Sequence, residues 1–495
     1  MPVFSGYGAE NDGFTPYCIS VTFNGDVHSC RGFTWYTDEK CAGDLLLMEE
    51  AGSKADEFKD ARLYRGASCR VERYTGKRGL IKQVSVHRLE LTDLKADTTY
   101  VYKVGDAERG IWSKPGTFRT ASQEGLFRFI IIADSQGEDK EDFLLNAQTL
   151  RTAMKTIPDA DFLVHMGDFV QNYTDEDSRE DFTEWQQFFA TAQPELMNTT
   201  ILPVAGNHDM SRNAFGNHFA LDKLVPVGAN TEMGAYYAVN YANACFMVLN
   251  TNEGYQDGTG RISEQQVEWL KNTAILADKE GIKWKILLMH RGIYSFGRHM
   301  DSEDIVELRS QLAPLISDLG IDLVLQGHDH VYMRSQVLAK SAAGNIGPLT
   351  EKLKVISRNF AGQNIDFTVN PQGTTYIITN VSGDQFGSRK TSPTVEVYPA
   401  AGYKPDDNDE PVFAGISIDG ERLVYRAYTY NREGDGQVRE IDHYAILKEK
   451  NSDIRLEDYS KSLTTAKPAA AISNREIWRF MQGLGPFNGW FQFSR

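Results

Sequence analysis

The chain has 495 residues, enough for two to four domains at about 150 residues each, so it can bury a core without a disulfide or metal staple. Hydrophobic residues at 41% and charged residues at 24% exclude wholesale disorder, collagen-like repeats and coiled coil. Lys and Arg total 52 against 68 Asp and Glu, a net charge of −16, which argues against non-specific nucleic-acid or anionic-membrane binding because both need a basic face.

No apolar run approaches the roughly 18 residues of a spanning helix. The segment Met1–Asp12 has neither the basic start nor the apolar core of a secretory signal, so a cytoplasmic location is expected, or export if a leader has been removed. Cys18, Cys30, Cys41 and Cys69 crowd the first region and Cys245 stands alone in an apolar run. An exported protein could pair the first four; free thiols are the plainer expectation.

The first region, 15–121, reads as all-β. Short β-branched and aromatic stretches recur between Gly and Asp turns, at Cys18–Phe23, Phe33–Tyr36, Cys69–Tyr74, Val84–Leu91, Thr99–Val104 and Gly116–Thr120. The stretch Leu91–Val104 resembles the E–F corner of fibronectin type III sandwiches, in which a Tyr hydroxyl, here Tyr100, ties back to the backbone.

From residue 122 to 450 the texture is that of an α/β domain. Dense apolar runs fall at Phe127–Ala133, Phe162–Met166, Ile201–Ala205, Cys245–Leu249, Trp284–Met289 and Leu323–Leu325. Helical patterns alternate with them at Leu144–Met154, Glu180–Ala190, Ser263–Ala277 and Ser302–Ile316, and Ser263 with Gln266 fits a capping box. Later strands are expected at Thr375–Thr379, Phe413–Ile418, Leu423–Tyr430 and near Tyr444–Leu447. Residues 451–495 read as a linker and a tail whose six large aromatics, from Trp478 to Phe493, should dock on the protein's own body.

Nearly every apolar strand of the middle region ends in Asp, Asn or His, at the edge where open α/β sheets build their sites. These ends are Asp134-Ser-Gln136, Gly167-Asp168, Gly206-Asn207-His208-Asp209, His290-Arg291 and Gly327-His328-Asp329-His330. Four of the ten histidines lie there, together with Asp134, Asp168 and Asn207, which packing does not explain. Carboxylate, imidazole and amide oxygen suit Zn, Mn, Fe or Co, and the number of donors is too large for one ion. If one carboxylate bridges, two ions sit about 3.5–4 Å apart and clamp an in-line displacement.

The series Asp…Gly-Asp…Gly-Asn-His-Asp…His…Gly-His-x-His resembles the calcineurin-like metallophosphoesterases, and with the preceding β-sandwich it is similar to their purple acid phosphatase-like branch. The resemblance spans roughly residues 15–449. It implies a two-sheet β core flanked by helices, and a phosphohydrolase, first of all a phosphomonoesterase, in which a hydroxide bridging two metals attacks phosphorus. Asp134, Asp168 and His330 would hold the first ion, and Asp168, Asn207, His290 and His328 the second. His208 would contact the phosphoryl group or protonate the leaving alcohol, with Asp209 as a helix cap or an orienter of His208. His299 matches a substrate-phosphate His of plant members, and Arg291 could reach phosphate or be solvated. The partner implied is a phosphorylated small molecule. Phosphodiester or pyrophosphate hydrolysis on the same site, or a binding scaffold without catalysis, are the alternatives.

Two positions depart from the family. Gln136 stands where many relatives have a His ligand; its amide oxygen can ligate, more weakly. Gln171 replaces the Tyr that supplies tyrosinate to ferric iron, with Tyr173 two residues further on. Two divalent ions, Mn, Zn or Fe, are therefore expected rather than Fe(III).

Overall fold

Alternation along the strand Ala244–Val248 shows how the molecule is layered. Phe246 and Val248 enter one core with Phe129, Phe162, Ile286 and Leu325, while Cys245 and Met247 face a second with Leu270, Leu308 and Leu312. The first core lies between two sheets, where Phe246 meets Phe129 edge-on at 5.2 Å and Phe162 at 5.5 Å. The second lies under the helices Glu264–Lys279 and Glu303–Asp318. The structure, a computed structural model, describes residues 13–50, 58–75, 80–137, 139–171, 182–210, 213–256, 258–379, 381–387, 396–403, 410–432 and 436–449. The expected tail and Tyr173 lie outside the described residues.

Among the described residues, one of these sheets has seven strands and the other twelve. In the smaller, Ala244–Val248, Trp284–Arg291, Leu323–Gly327 and Thr375–Thr379 run parallel. In the larger, Phe127–Ile132, Phe162–His165 and Thr200–Pro203 run parallel, and Val412–Asp419, Arg422–Tyr430 and Val438–Leu447 extend it antiparallel. Each sheet thus delivers one parallel group whose C-terminal ends carry the polar residues. The helices form over Lys140–Thr156, Phe182–Leu196, Glu264–Lys279 and Glu303–Asp318, each running past the end expected from periodicity. Ser263 caps the third by accepting the Gln266 N–H at 3.3 Å, but Gln266 does not return the bond. Its amide instead pairs with both backbone groups of Asn250, at 2.8 and 3.1 Å.

The N-terminal β-rich region precedes this α/β core, as the sequence implies. Asp44–Glu49 and Arg62–Arg65 are additional strands that the sequence reading omits. Lys95 donates its backbone N–H to the Tyr100 hydroxyl at 2.8 Å, which is the expected corner. A third core, with Val21, Phe33, Trp35, Leu47, Tyr102 and Phe118, fills the space between a five-stranded sheet and the strands Tyr17–Thr22, Arg31–Thr37 and Leu80–Leu91. These last strands are part of the twelve-stranded sheet. Tyr17–Thr22 pairs parallel with Thr200–Pro203, Thr22 opposite Ile201. The joint is held by side chains as well. The Gln193 amide bonds the N–H and C=O of Ile19 at 2.9 and 2.8 Å. Arg31, 1% exposed, donates to Thr200 Oγ1 and to the carbonyls of Val27 and Arg119. All five cysteines are free thiols.

His87 is fully buried on Leu80–Leu91, stacked on Trp35 at 5.3 Å, with Nδ1 2.6 Å from Ser68 Oγ and Nε2 2.8 Å from Thr37 Oγ1. Burial pushes its pKa down from 6.5 to about 4. The unfolded chain therefore binds a proton that the folded chain refuses. The stabilisation is complete above pH 6.5 and is lost as pH falls toward about 4. In urea unfolding followed against pH, His87→Gln should lose stability less steeply over that window than the wild type. An unchanged acid limb would contradict the neutral buried ring.

Candidate metal centre

Each polar residue reaches the site because its strand ends in a sharp turn. Asp134 follows Phe127–Ile132, and Asp168 follows Phe162–His165 through Met166-Gly167. Asn207 and His208 open a single 3-10 turn, Asn207–Asp209, after Thr200–Pro203. His290 sits within Trp284–Arg291, and His328 and His330 follow Leu323–Gly327. Asp134, Asp168, His328 and His330 all have left-handed backbone, with φ of 50°, 54°, 76° and 52°. Such a conformation costs a non-glycine residue about 1–3 kcal/mol and persists where surrounding contacts impose it.

Ligand atoms of Asp168, His290 and His328 lie within 4.8 Å of one another, and so do those of Asp134, Asp168 and His330. Asp168 belongs to both triads. Asn207 Oδ1 joins them, 3.2 Å from His290 Nε2. Six of the seven donors named from sequence are thus together. The seventh, Gln136, is 2% exposed, and its amide oxygen has no hydrogen-bond partner among the described residues. Close approach of the turns makes the compact arrangement feasible. A Cβ on Gly206 would stand 2.1 Å from Asp168 Oδ1, and one on Gly167 would stand 2.6 Å from His290 Nδ1.

The donor set fits cations. His290 donates its Nδ1–H to the Met166 carbonyl at 2.8 Å, which leaves Nε2 facing Asp168 Oδ2 at 3.0 Å and Asn207 Oδ1. A neutral ring would then oppose its lone pair to two oxygen acceptors, so this point calls for positive charge. Burial disfavours a charged imidazole, yet the Asp168 carboxylate outweighs it and lifts the His290 pKa to about 9. Likewise, burial raises and the surrounding imidazoles lower the Asp168 carboxyl, and the imidazoles win, holding it far below the carboxylate range. His330 is raised against burial by its bond to Asp134. His328 is lowered by burial and by the charge of His290 and His299.

Asp209 is the brace of the site and not a donor to it. Fully buried, it accepts the backbone N–H groups of Asp168 and Phe169, each at 2.9 Å, and of Gly206 at 2.8 Å. It therefore ties the Asp168 turn to the Asn207 turn; the His208 side chain is held elsewhere. His208 donates Nδ1–H to the Gln171 carbonyl, and its Nε2 stands 4.0 Å from Asp168 Oδ2.

Comparison with known proteins places this arrangement. The family model described as "Calcineurin-like phosphoesterase" matches residues 127–332, and "Purple acid Phosphatase, N-terminal domain" matches residues 16–120. The chain carries a calcineurin-like phosphoesterase domain preceded by a purple acid phosphatase N-terminal domain. It is 25% identical over 289 residues to "Probable inactive purple acid phosphatase 24" of Arabidopsis thaliana, covering 52% of this chain and 45% of that one. It is 25% identical over 288 residues to "Phosphoenolpyruvate phosphatase" of Allium cepa, covering 54% and 55%. The chain thus spans about half the length of these two relatives. Its fold is like that of a purple acid phosphatase from yellow lupin seeds, with a TM-score of 0.66 at 17% identity, covering 93% of this chain and 78% of that one.

Around these donors lie residues that the sequence alone places differently or does not single out. Arg291 is 3% exposed and therefore not solvated: its guanidinium pairs with Asp304 and lies 4.5 Å over the Tyr255 ring, and its Nε has no hydrogen-bond partner among the described residues. His299 stacks on His328, ring centres 4.5 Å apart. His165 receives the Gly167 N–H at Nδ1 and meets Ser135 Oγ at 2.9 Å, and burial drives its pKa down to about 3. Asn250, Thr251 and Asn252 follow Ala244–Val248, all buried; Asn252 donates to the Gly206 carbonyl at 2.9 Å. The signal for them was present: a sixth apolar strand ending in polar residues. Asp209→Asn keeps all six donors but turns an amide N–H toward one of the N–H groups it now accepts. Its affinity for Zn²⁺ or Mn²⁺ should fall about 10–100-fold, read by metal titration.

Proposed function

We propose that the chain is a dinuclear metal-dependent phosphohydrolase whose first substrates are phosphomonoesters. The observation that carries this reading is the place of Asp168, one carboxylate common to two donor triads. Asp134, Asp168 and His330 would hold one ion, and Asp168, Asn207, His290 and His328 the other. Bound there, two ions supply Lewis acidity to the phosphoryl oxygens and make water nucleophilic near neutral pH. The preference for monoesters is supported by the phosphatases among the relatives.

The chain's own residues supply orientation and proton transfer. The Gln171 carbonyl fixes the His208 ring through Nδ1–H, and Nε2, 4.0 Å from Asp168 Oδ2, would be the nitrogen that gives a proton to a leaving oxygen. Asn252 and Asp209 hold the turn that carries His208. The buried imidazole Nδ1–H of His290 is spent on a carbonyl, which leaves that ring to hold and not to transfer.

Two substitutions separate these duties. His208→Ala should keep both metals and lose about 10²–10⁴-fold in turnover, whereas Asp168→Asn should lose metal at both positions along with activity. A metal-free His208→Ala protein, or one with normal kinetics, would remove the acid role. Chromogenic mono- and diesters tested on Mn-, Zn- and Fe-replete protein decide the reading itself. No hydrolysis of any ester would leave a binding scaffold.

The third residue after Asp168 is Gln171, a neutral amide, and Gln136 is a second neutral donor candidate. Fewer anionic donors disfavour a trivalent ion, so the site should prefer divalent metals and an activity optimum nearer neutral or alkaline pH than an acid phosphatase has. Iron-replete, oxidised protein should show no intense visible band. A purple protein with an acidic optimum would place a tyrosinate on iron.

A further inference from the structure

We propose that Asp329, the residue between His328 and His330, is a positioning residue that holds His299 against the metal centre and, through His299, the Arg298 guanidinium as a contact for the phosphoester. The inference rests on the phosphohydrolase reading above. Asp329 is 3% exposed and belongs to neither donor triad. Its Oδ1 accepts the backbone N–H of His299 at 3.0 Å and stands 3.0 Å from His299 Nδ1, which makes no hydrogen bond among the described residues. The chain leading to His299 is closed down on this carboxylate. A Cβ on Gly297 would stand 2.6 Å from both Cβ and Cγ of Asp329, and the Gly297 N–H donates to Ser295 Oγ at 2.8 Å.

The held ring faces the site. It stacks on His328 with centres 4.5 Å apart and planes at 28°, and its side chain keeps 31% of its exposure. Arg298 donates Nε–H to His299 Nε2 at 3.0 Å, so a guanidinium and an imidazole stand side by side beside a residue of the second triad. That bond takes the His299 Nε2 lone pair, so an anionic ester entering there meets the remaining N–H groups of the Arg298 guanidinium, while the carboxylate behind the imidazole holds the backbone that carries both residues.

The test is a double-mutant cycle on the full, metal-replete chain with p-nitrophenyl phosphate. Asp329→Ala should keep wild-type metal content and lose about 10–100-fold in kcat/KM, the size typical of an orienting partner. The isosteric Asp329→Asn, which still accepts the backbone N–H, should lose less. Added to His299→Ala, Asp329→Ala should cost nothing further. Wild-type kinetics for Asp329→Ala, losses that multiply in the double variant, or a loss matched by missing metal would each overturn the proposal. A wild-type chain that hydrolyses no ester overturns the phosphohydrolase reading instead. The affinity of the same four variants for inorganic phosphate then decides the positioning role by the same cycle.

Discussion

Three carboxylates, those of Asp134, Asp168 and Asp209, are buried beside one another at 0%, 1% and 0% exposure, and the surroundings are organised to make that tolerable. Anions removed from water need compensation from hydrogen bonds or positive charge. Backbone amides provide the first part. His328 N–H reaches Asp134 at 2.9 Å, His208 N–H reaches Asp168 at 2.9 Å, and Asp209 takes three. Directing so many amides inward forces the chain through left-handed turns at four of the donors. Imidazoles and the cations they would share provide the rest. Within a chain of net charge −16, cations held there would also offset the acidic surroundings for an approaching anion.

This arrangement explains why the site was legible in the sequence. Donors at strand ends must be Asp, Asn or His, and the turns that carry them need Gly at 167, 206 and 327, so the pattern is written in short local strings. The parallel strands were legible for a similar reason, because burial on both faces leaves continuous apolar runs such as Phe127–Ile132 and Trp284–Met289. The central sheets therefore followed directly from residue type.

What the sequence hid was what depends on distant pairing. Asp44–Glu49 and Arg62–Arg65 have a weaker alternation than the central strands, and only their partners show that they are strands. Arg291 gave no sign of Asp304 thirteen residues on, or of Tyr255 beneath it. Asp209 adjoins His208 in the chain, which invited a local role; its bond from the Gly206 N–H is the expected cap of its own turn, while the two from Asp168 and Phe169 reach across from another strand end. The Gln266 amide likewise passed over the capping box for Asn250, a bond between a helix and a strand end.

The parallel pairing of Tyr17–Thr22 with Thr200–Pro203 has a bearing on the chain's modularity. The two family matches, 16–120 and 127–332, look like beads that could be strung separately. Structurally, the first supplies the neighbour strand for the second. Cut away, it would bare the hydrogen-bonding edge of Thr200–Pro203, together with the unfilled surroundings of Gln193 and Thr200, a few residues from the turn that holds Asn207. An open edge of that kind invites pairing with another chain. The N-terminal region therefore acts as an intramolecular edge guard: the two segments can be recognised apart but not separated without creating a sticky rim next to the donors.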